Sequence, residues 1–172
     1  MIISPTEFTC FGDSVYCITV VELMPLILFS THIIDFVVRM KIQGVNLNKF
    51  FFNQLPILPP EQLKQTPGLQ GDETIEQTIR QILINLTNYA YDLEPFVNAL
   101  GGQITPRPWD ERERLDNFAK LDAIVAHLYG LTKDELKHIF ADFKGEAKNQ
   151  KAIYGEYLSQ KLAFDYFDKF VS

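Results

Sequence analysis

The stretch from Leu115 to Phe143, LDNFAKLDAIVAHLYGLTKDELKHIFADF, constrains the fold most. Leu115, Phe118, Leu121, Ile124, Val125 and Leu128 recur at helical spacing and make one apolar stripe. Gly130 follows, a residue free to take the left-handed conformation that ends a helix. Then Thr132-Lys133-Asp134-Glu135 has the pattern of a capping box. The Thr132 hydroxyl accepts from the amide three residues on, and Glu135 reaches back to the Thr132 amide. Leu131 and Leu136 are spaced as the hydrophobic staple that accompanies such a box. The cap alone contributes about 1 kcal/mol. Two antiparallel helices joined at Tyr129-Gly130-Leu131 are therefore expected, the first running from about Trp109 to Tyr129.

The rest of the chain reads as more helices and one extended segment. Residues 6–20 favour strands, with Phe11-Gly12-Asp13-Ser14 as a turn between two short ones. Glu22 to Ile42 reads as a single buried helix, with Pro25 near its start and Gly44 as its stop. Residues 45–58 admit a short helix followed by an extended run, since Pro56, Pro59 and Pro60 forbid helix at the end. Pro67, Gly68 and Gly71 mark residues 61–72 as a linker. Beyond it, Glu73 to Ala99 is helical, since Ile75, Ile79, Ile82, Leu83, Leu86, Tyr89 and Ala90 repeat at helical spacing, and a short helix from Asp92 to Leu100 is broken by Pro95. The Asp110–Arg114 pair is spaced to support the start of the next helix. A polar connection and one last helix close the chain. The fold class expected is mainly α: a helical bundle with a small N-terminal β element. The division expected is a 1–60 segment of short strands plus a buried helix, a 61–72 linker and a 73–172 helical domain.

Composition bounds the function. At 172 residues the chain can bury a core without staples. Its net charge of -6 argues against strong autonomous DNA binding, because phosphate contacts by Lys and Arg supply much of such affinity. Cys10 and Cys17 do not make a disulfide framework and suit free thiols in a cytoplasmic protein. The most apolar run, Leu23 to Ile34, falls short of the roughly 20 residues a spanning helix needs, so no membrane partner is expected.

No catalytic motif is visible. Adenine methylation needs a Gly-rich loop for the methyl donor and an (Asp/Asn)-Pro-Pro-(Tyr/Phe) loop for the flipped base. Leu58-Pro59-Pro60-Glu61 lacks both the polar and the aromatic residue. Glu135-Leu136-Lys137 has the letters of a nuclease triplet, but Glu135 has its capping role. His32, His127 and His138 have no metal-ligand spacing, and read as partly exposed helix histidines. One local feature suggests a partner. From Phe36 to Pro60 the charged residues are Arg39, Lys41 and Lys49, with no acid, and Gln43, Asn46, Asn48, Asn53 and Gln54 lie among them. These are the side chains that hold phosphates and read base edges.

Several phrases, in order, resemble one family. They are FGDSVYCIT, then LILFSTHIIDFVVRMKIQGVNLNKFFFNQLPILPPEQ, then AYDLEPFVNALGG, the Leu115–Phe143 stretch with its PRPWDERER lead-in, and IYGEYLSQKLAFDYF. Together they resemble the C-terminal part of large adenine-specific DNA methyltransferases of the restriction–modification (type IIG-like) and phage-defence type. The resemblance covers nearly the whole chain. It implies that the catalytic domain, with its S-adenosylmethionine, lies upstream, so no cofactor belongs to this chain and no catalytic residue carries over. It implies part of a target-recognition domain followed by a helical C-terminus. It also implies that the chain is a piece of a longer protein, a remnant gene or a separately encoded subunit. The stretch expected near double-stranded DNA carries Arg39, Lys41, Gln43, Asn46, Asn48, Lys49 and Asn53. The expected function is a non-catalytic DNA-recognition or scaffold segment. Its expected partners are DNA and the upstream methyltransferase domain or subunit. The alternative is a helical interaction module that self-associates as a homo-oligomer without DNA.

Overall fold

A computed structural model describes residues 22–42, 49–64 and 73–171. Every regular element among these residues is helical. In order they are α1 (Leu23–Phe29), α2 (His32–Lys41), α3 (Lys49–Phe52), a 3-10 turn at Pro60–Lys64, α4 (Ile75–Thr87), a 3-10 turn at Tyr91–Leu93, and α5 (Glu94–Ala99). Then come α6 (Glu111–Leu128), α7 (Lys133–Ala141), α8 (Lys144–Tyr154) and α9 (Leu158–Val171). The mainly α expectation agrees with this. The expected strands between residues 6 and 20 and the Gly44 stop lie outside the described residues.

The axis of the bundle is α6. Leu121, Ala123, Ile124, Val125 and Ala126 are fully buried on it. Burying a leucine or isoleucine contributes roughly 1.5–3 kcal/mol, and the small alanines let neighbouring helices approach. The last helix, α9, packs along much of α6, and α4, α2 and α1 touch it as well. On α4, Ile75, Ile79, Ile82, Leu83 and Leu86 of the predicted stripe are buried, whereas Tyr89 and Ala90 lie half-buried beyond the helix, which ends at Thr87. Residues on both sides of the expected 61–72 linker share this core. The start of that linker is the 3-10 turn, where Leu63 is buried.

The turn that opened the reading forms as expected. Gly130 has φ +66°. The Thr132 amide donates to Glu135 Oε2 at 2.7 Å, and the Glu135 amide donates to Thr132 Oγ1 at 3.3 Å. Four local expectations need correction. Glu22–Ile42 is two helices, α1 and α2, bent by 71°. Ser30 Oγ donates to Leu26 O at 2.7 Å and Thr31 Oγ1 to Leu28 O at 2.8 Å, so side chains take the carbonyls that a continuing helix would use. Pro95 lies in the first turn of α5, where its missing N–H is harmless, so it starts that helix rather than breaking it. Asp110 caps α6 instead of pairing with Arg114: its Oδ1 accepts from the amides of Arg112 and Glu113 at 2.9 and 3.0 Å. The closing segment holds two helices, because the polar connection is itself α8, ended by Gly155 at φ +81°.

Among the described residues no single helix is long and apolar enough to cross a membrane.

Candidate functional site

The break between α1 and α2 puts His32 at the first turn of α2, where backbone amides lack helical partners. The His32 amide donates to Asp122 Oδ1 on α6 at 2.8 Å. The other Asp122 oxygen takes His32 Nδ1 at 2.7 Å, and His32 Nε2 donates to Glu146 Oε2 on α8 at 2.8 Å. Asp122 is 1% exposed, so a buried carboxylate both caps one helix and holds its imidazole. With carboxylates on both ring nitrogens, both nitrogens carry protons and the ring is an imidazolium. Burial alone would lower the His32 pKa. The charge and hydrogen bond of Asp122, then those of Glu146, outweigh it and push it up to about 10. Burial also opposes ionisation of Glu146, but the bond and charge of His32 hold its carboxyl below the usual range.

The network continues through α8 into α9. Gln150 Nε2 donates to Glu146 Oε1 at 2.8 Å and to Ser159 Oγ at 2.7 Å, and Ser159 N donates back to Gln150 Oε1 at 2.8 Å. The rings of Phe140 and Phe143 each lie 4.7 Å from the imidazole and pack against it. Burial, then the Glu146 and Asp122 charges, pushes the nearby Tyr157 phenol well above its usual value. His32 is a half-buried histidine on a helix, as expected, but both its ring nitrogens are taken by carboxylates. It has no lone pair for a metal and no free nitrogen to act as a base near neutral pH. It is a charged clamp joining α2, α6 and α8. His127 and His138 do lie exposed on their helices. Among the described residues no cluster of His, Cys, Asp and Glu is arranged to hold a metal ion.

Above the clamp runs a groove of about 480 Å³. It brings Arg39 from α2 together with Arg114 from α6 and Lys144 from α8. Asp35, Asp142 and Glu146 also line it. Arg39 is bonded to Asp35 at 3.1 Å, and its guanidinium lies 4.7 Å from the Phe143 ring. The Arg114 guanidinium sits 4.6 Å from the Trp109 ring and 4.8 Å from that of Phe118. Trp109 is 59% exposed; its ring lies 5.0 Å from that of Tyr89 and its Nε1 donates to Glu111 Oε2 at 3.0 Å. With the imidazolium beneath, the groove has four cationic groups, Arg39, Arg114, Lys144 and His32, against three lining carboxylates.

Of the residues expected near DNA, Arg39 and Lys41 share the last turn of α2, where the helix dipole favours cations. Lys49 opens α3 and Asn53 follows it, with the Asn53 amide donating to Lys49 O at 3.0 Å. Arg39, Lys49 and Asn53 are exposed and Lys41 is half-buried. Gln43, Asn46 and Asn48 lie outside the described residues. Among the described residues of the set, Arg39 alone lines the groove. From sequence Arg114 is expected only to support a helix start and Lys144 is not singled out, since both lie far along the chain from Arg39.

The FFNQLPILPP phrase docks on the α6–α7 turn. The Tyr129 hydroxyl donates to the Pro56 carbonyl, across 73 residues of sequence. Leu55 is 7% exposed and Leu58 packs against the core. Burial pushes the Tyr129 phenol up to about 12, which keeps it a donor at any ordinary pH. No protein family, curated protein or solved structure matches the chain.

Proposed function

We propose that this chain is a non-catalytic DNA-recognition and scaffold segment of an adenine-specific DNA methyltransferase. The methyltransferase chemistry and its S-adenosylmethionine belong to an upstream domain or subunit. The observation that carries the reading is the joint between FFNQLPILPP and the Tyr129-Gly130-Leu131 turn, made by the Tyr129–Pro56 bond. Two of the phrases that give the chain its resemblance to such enzymes thus meet in one packed unit. That unit presents Lys49 and Asn53 beside it, and Arg39 heads a groove to which Arg114 and Lys144 add charge. Phosphate contacts from these cations position a duplex, and amide side chains read base edges. Mechanistically, the segment orients DNA so that the upstream site extrudes adenine.

The test is an anisotropy titration of duplex DNA at low and moderate salt, with wild type and the triple change Arg39→Ala, Lys41→Ala, Lys49→Ala. The expected result is salt-sensitive binding that the triple change removes. Each lost phosphate contact lowers the log–log salt slope by about 0.9. Absence of binding at low salt overturns DNA recognition by this chain alone.

A second reading rests on the exposure of Met40 (62%), Phe50 (68%) and Ile153 (71%). Apolar side chains so exposed suit a helical module that self-associates. Concentration-dependent sedimentation without DNA binding selects this reading, and a monomer at all concentrations rejects it.

A further inference from the structure

The short helix α3 carries three consecutive phenylalanines, and the fold treats them differently. Phe52 packs against the core, its ring 5.4 Å from that of Phe29 on α1. Phe51 is half-buried and braces its neighbour, the rings of Phe50 and Phe51 lying 5.5 Å apart and edge-on. Phe50 itself is 68% exposed. The turn beneath it is anchored, because Leu55 is 7% exposed and the Tyr129 hydroxyl donates to Pro56 O. A single exposed apolar side chain is ordinary on a protein surface. The surroundings of Phe50 are what single it out. Lys49 and Asn53 lie one turn apart, joined by the Asn53 amide bond to Lys49 O at 3.0 Å, and Gln54 follows. All three are exposed. Among the described residues Lys49 has no ion-pair partner. No acid occurs in the sequence from Phe36 to Pro60. A rigidly presented ring is thus bordered by an unpaired cation and two amides.

We propose that Phe50 is a wedge that enters a base step of duplex DNA and unstacks it, with Lys49 on the flanking phosphate and Asn53 against a base edge. The proposal rests on the DNA reading above and names the positioning residue in it. Apolar side chains that part stacked bases work from a basic, amide-bearing surface, because phosphates flank every step and polar base edges line the groove. A lipid surface fits this tip less well. Membrane-binding faces present several apolar side chains together, whereas of the three phenylalanines Phe50 alone is exposed, and exposed amides follow it. A step that is already unstacked lowers the cost of extruding a neighbouring adenine to the upstream site.

The experiment titrates wild type, Phe50→Ala, Phe50→Leu and Lys49→Ala into short duplexes carrying the fluorescent base 2-aminopurine at successive positions. Its emission rises when its neighbours unstack, and anisotropy of the same samples at several salt concentrations reports binding. Phe50 and Lys49 are exposed, so these variants keep the fold. The expected result is a saturable rise in emission with wild type at one or more positions. Phe50→Ala should lose the rise and bind about ten-fold more weakly, the low end for loss of an aromatic–base stack. Its salt slope should not change, since no phosphate contact is lost. Phe50→Leu, still an apolar wedge, should keep part of the rise. Lys49→Ala should instead lower the log–log salt slope by about 0.9. Salt-sensitive binding without a rise in emission overturns the wedge and leaves the DNA reading standing. The same holds if Phe50→Ala gives the wild-type rise. No binding at low salt overturns both. A last arm offers vesicles of phosphatidylglycerol and phosphatidylcholine. Vesicle binding that Phe50→Ala abolishes, with no rise in emission on any duplex, assigns the ring to a lipid surface and overturns the proposal.

Discussion

Replacing His32 by Gln tests the charged clamp. The change removes the positive charge between Asp122 and Glu146 and leaves a neutral amide able to satisfy at most part of the two carboxylates. Asp122 stays 1% exposed with only the backbone amide of residue 32 as partner. Removing one member of a buried ion pair costs roughly 3–5 kcal/mol. Glu146 is 32% exposed and regains some water, so the lower end, about 3 kcal/mol, is expected. For a chain of this size that lowers Tm by roughly 6–12 °C. The pH dependence gives the sharper test. The folded pKa of His32 is raised to about 10 from 6.5, so the folded state binds the proton more tightly. The contribution is complete below about pH 6.5 and is lost as pH rises toward 10. Between those values wild-type stability falls by up to about 1.4 kcal/mol per pH unit from this group. Urea unfolding followed by circular dichroism, at intervals from pH 6 to 9, should show wild type converging on the variant as pH rises. A constant difference between the two proteins across that range, or no difference at pH 6, refutes the imidazolium clamp.

Two further outcomes probe local structure. Thr132→Ala removes the hydroxyl that accepts the Glu135 amide and should cost about 1 kcal/mol of unfolding free energy, read by urea denaturation; no loss means the cap is idle. Tyr129→Phe deletes the donor to Pro56 O and should cost roughly 0.5–1.5 kcal/mol, with faster hydrogen exchange at the amides of Leu55 and Ile57. Unchanged exchange there means that the FFNQLPILPP segment is held by apolar packing alone.

Much of the helical architecture was legible along the chain. The α6–α7 joint was legible because its chemistry is short-range: Gly130 turns the backbone, and Thr132 and Glu135 are three residues apart. The stripe Ile75, Ile79, Ile82, Leu83 and Leu86 was legible for the same reason, since burial of one helix face leaves a period in the sequence. The break after Phe29 was not legible. A window full of apolar residues predicts one helix, and the bonds of Ser30 and Thr31 to the carbonyls of Leu26 and Leu28 leave no mark in that apolar pattern. The polar α8 was missed because its surface is charged and only Gln150 is buried.

The groove and the clamp belong to tertiary structure. His32 meets Asp122 across 90 residues and Glu146 across 114. Nothing local distinguishes those carboxylates from other acids on exposed helix faces. The sequence by itself determined where helices begin and end wherever capping and periodicity act within a few residues, and it placed Arg39, Lys41 and Lys49 in an acid-free stretch. The packing of α2, α6 and α8 decided that a half-buried histidine would be a cation bonded to a buried carboxylate and that Arg39 would share one groove with Arg114 and Lys144. The physical reason is range: hydrogen bonds between neighbours in sequence form whatever the fold, whereas a buried charge is tolerated only where the finished core brings its counter-charge within bonding distance.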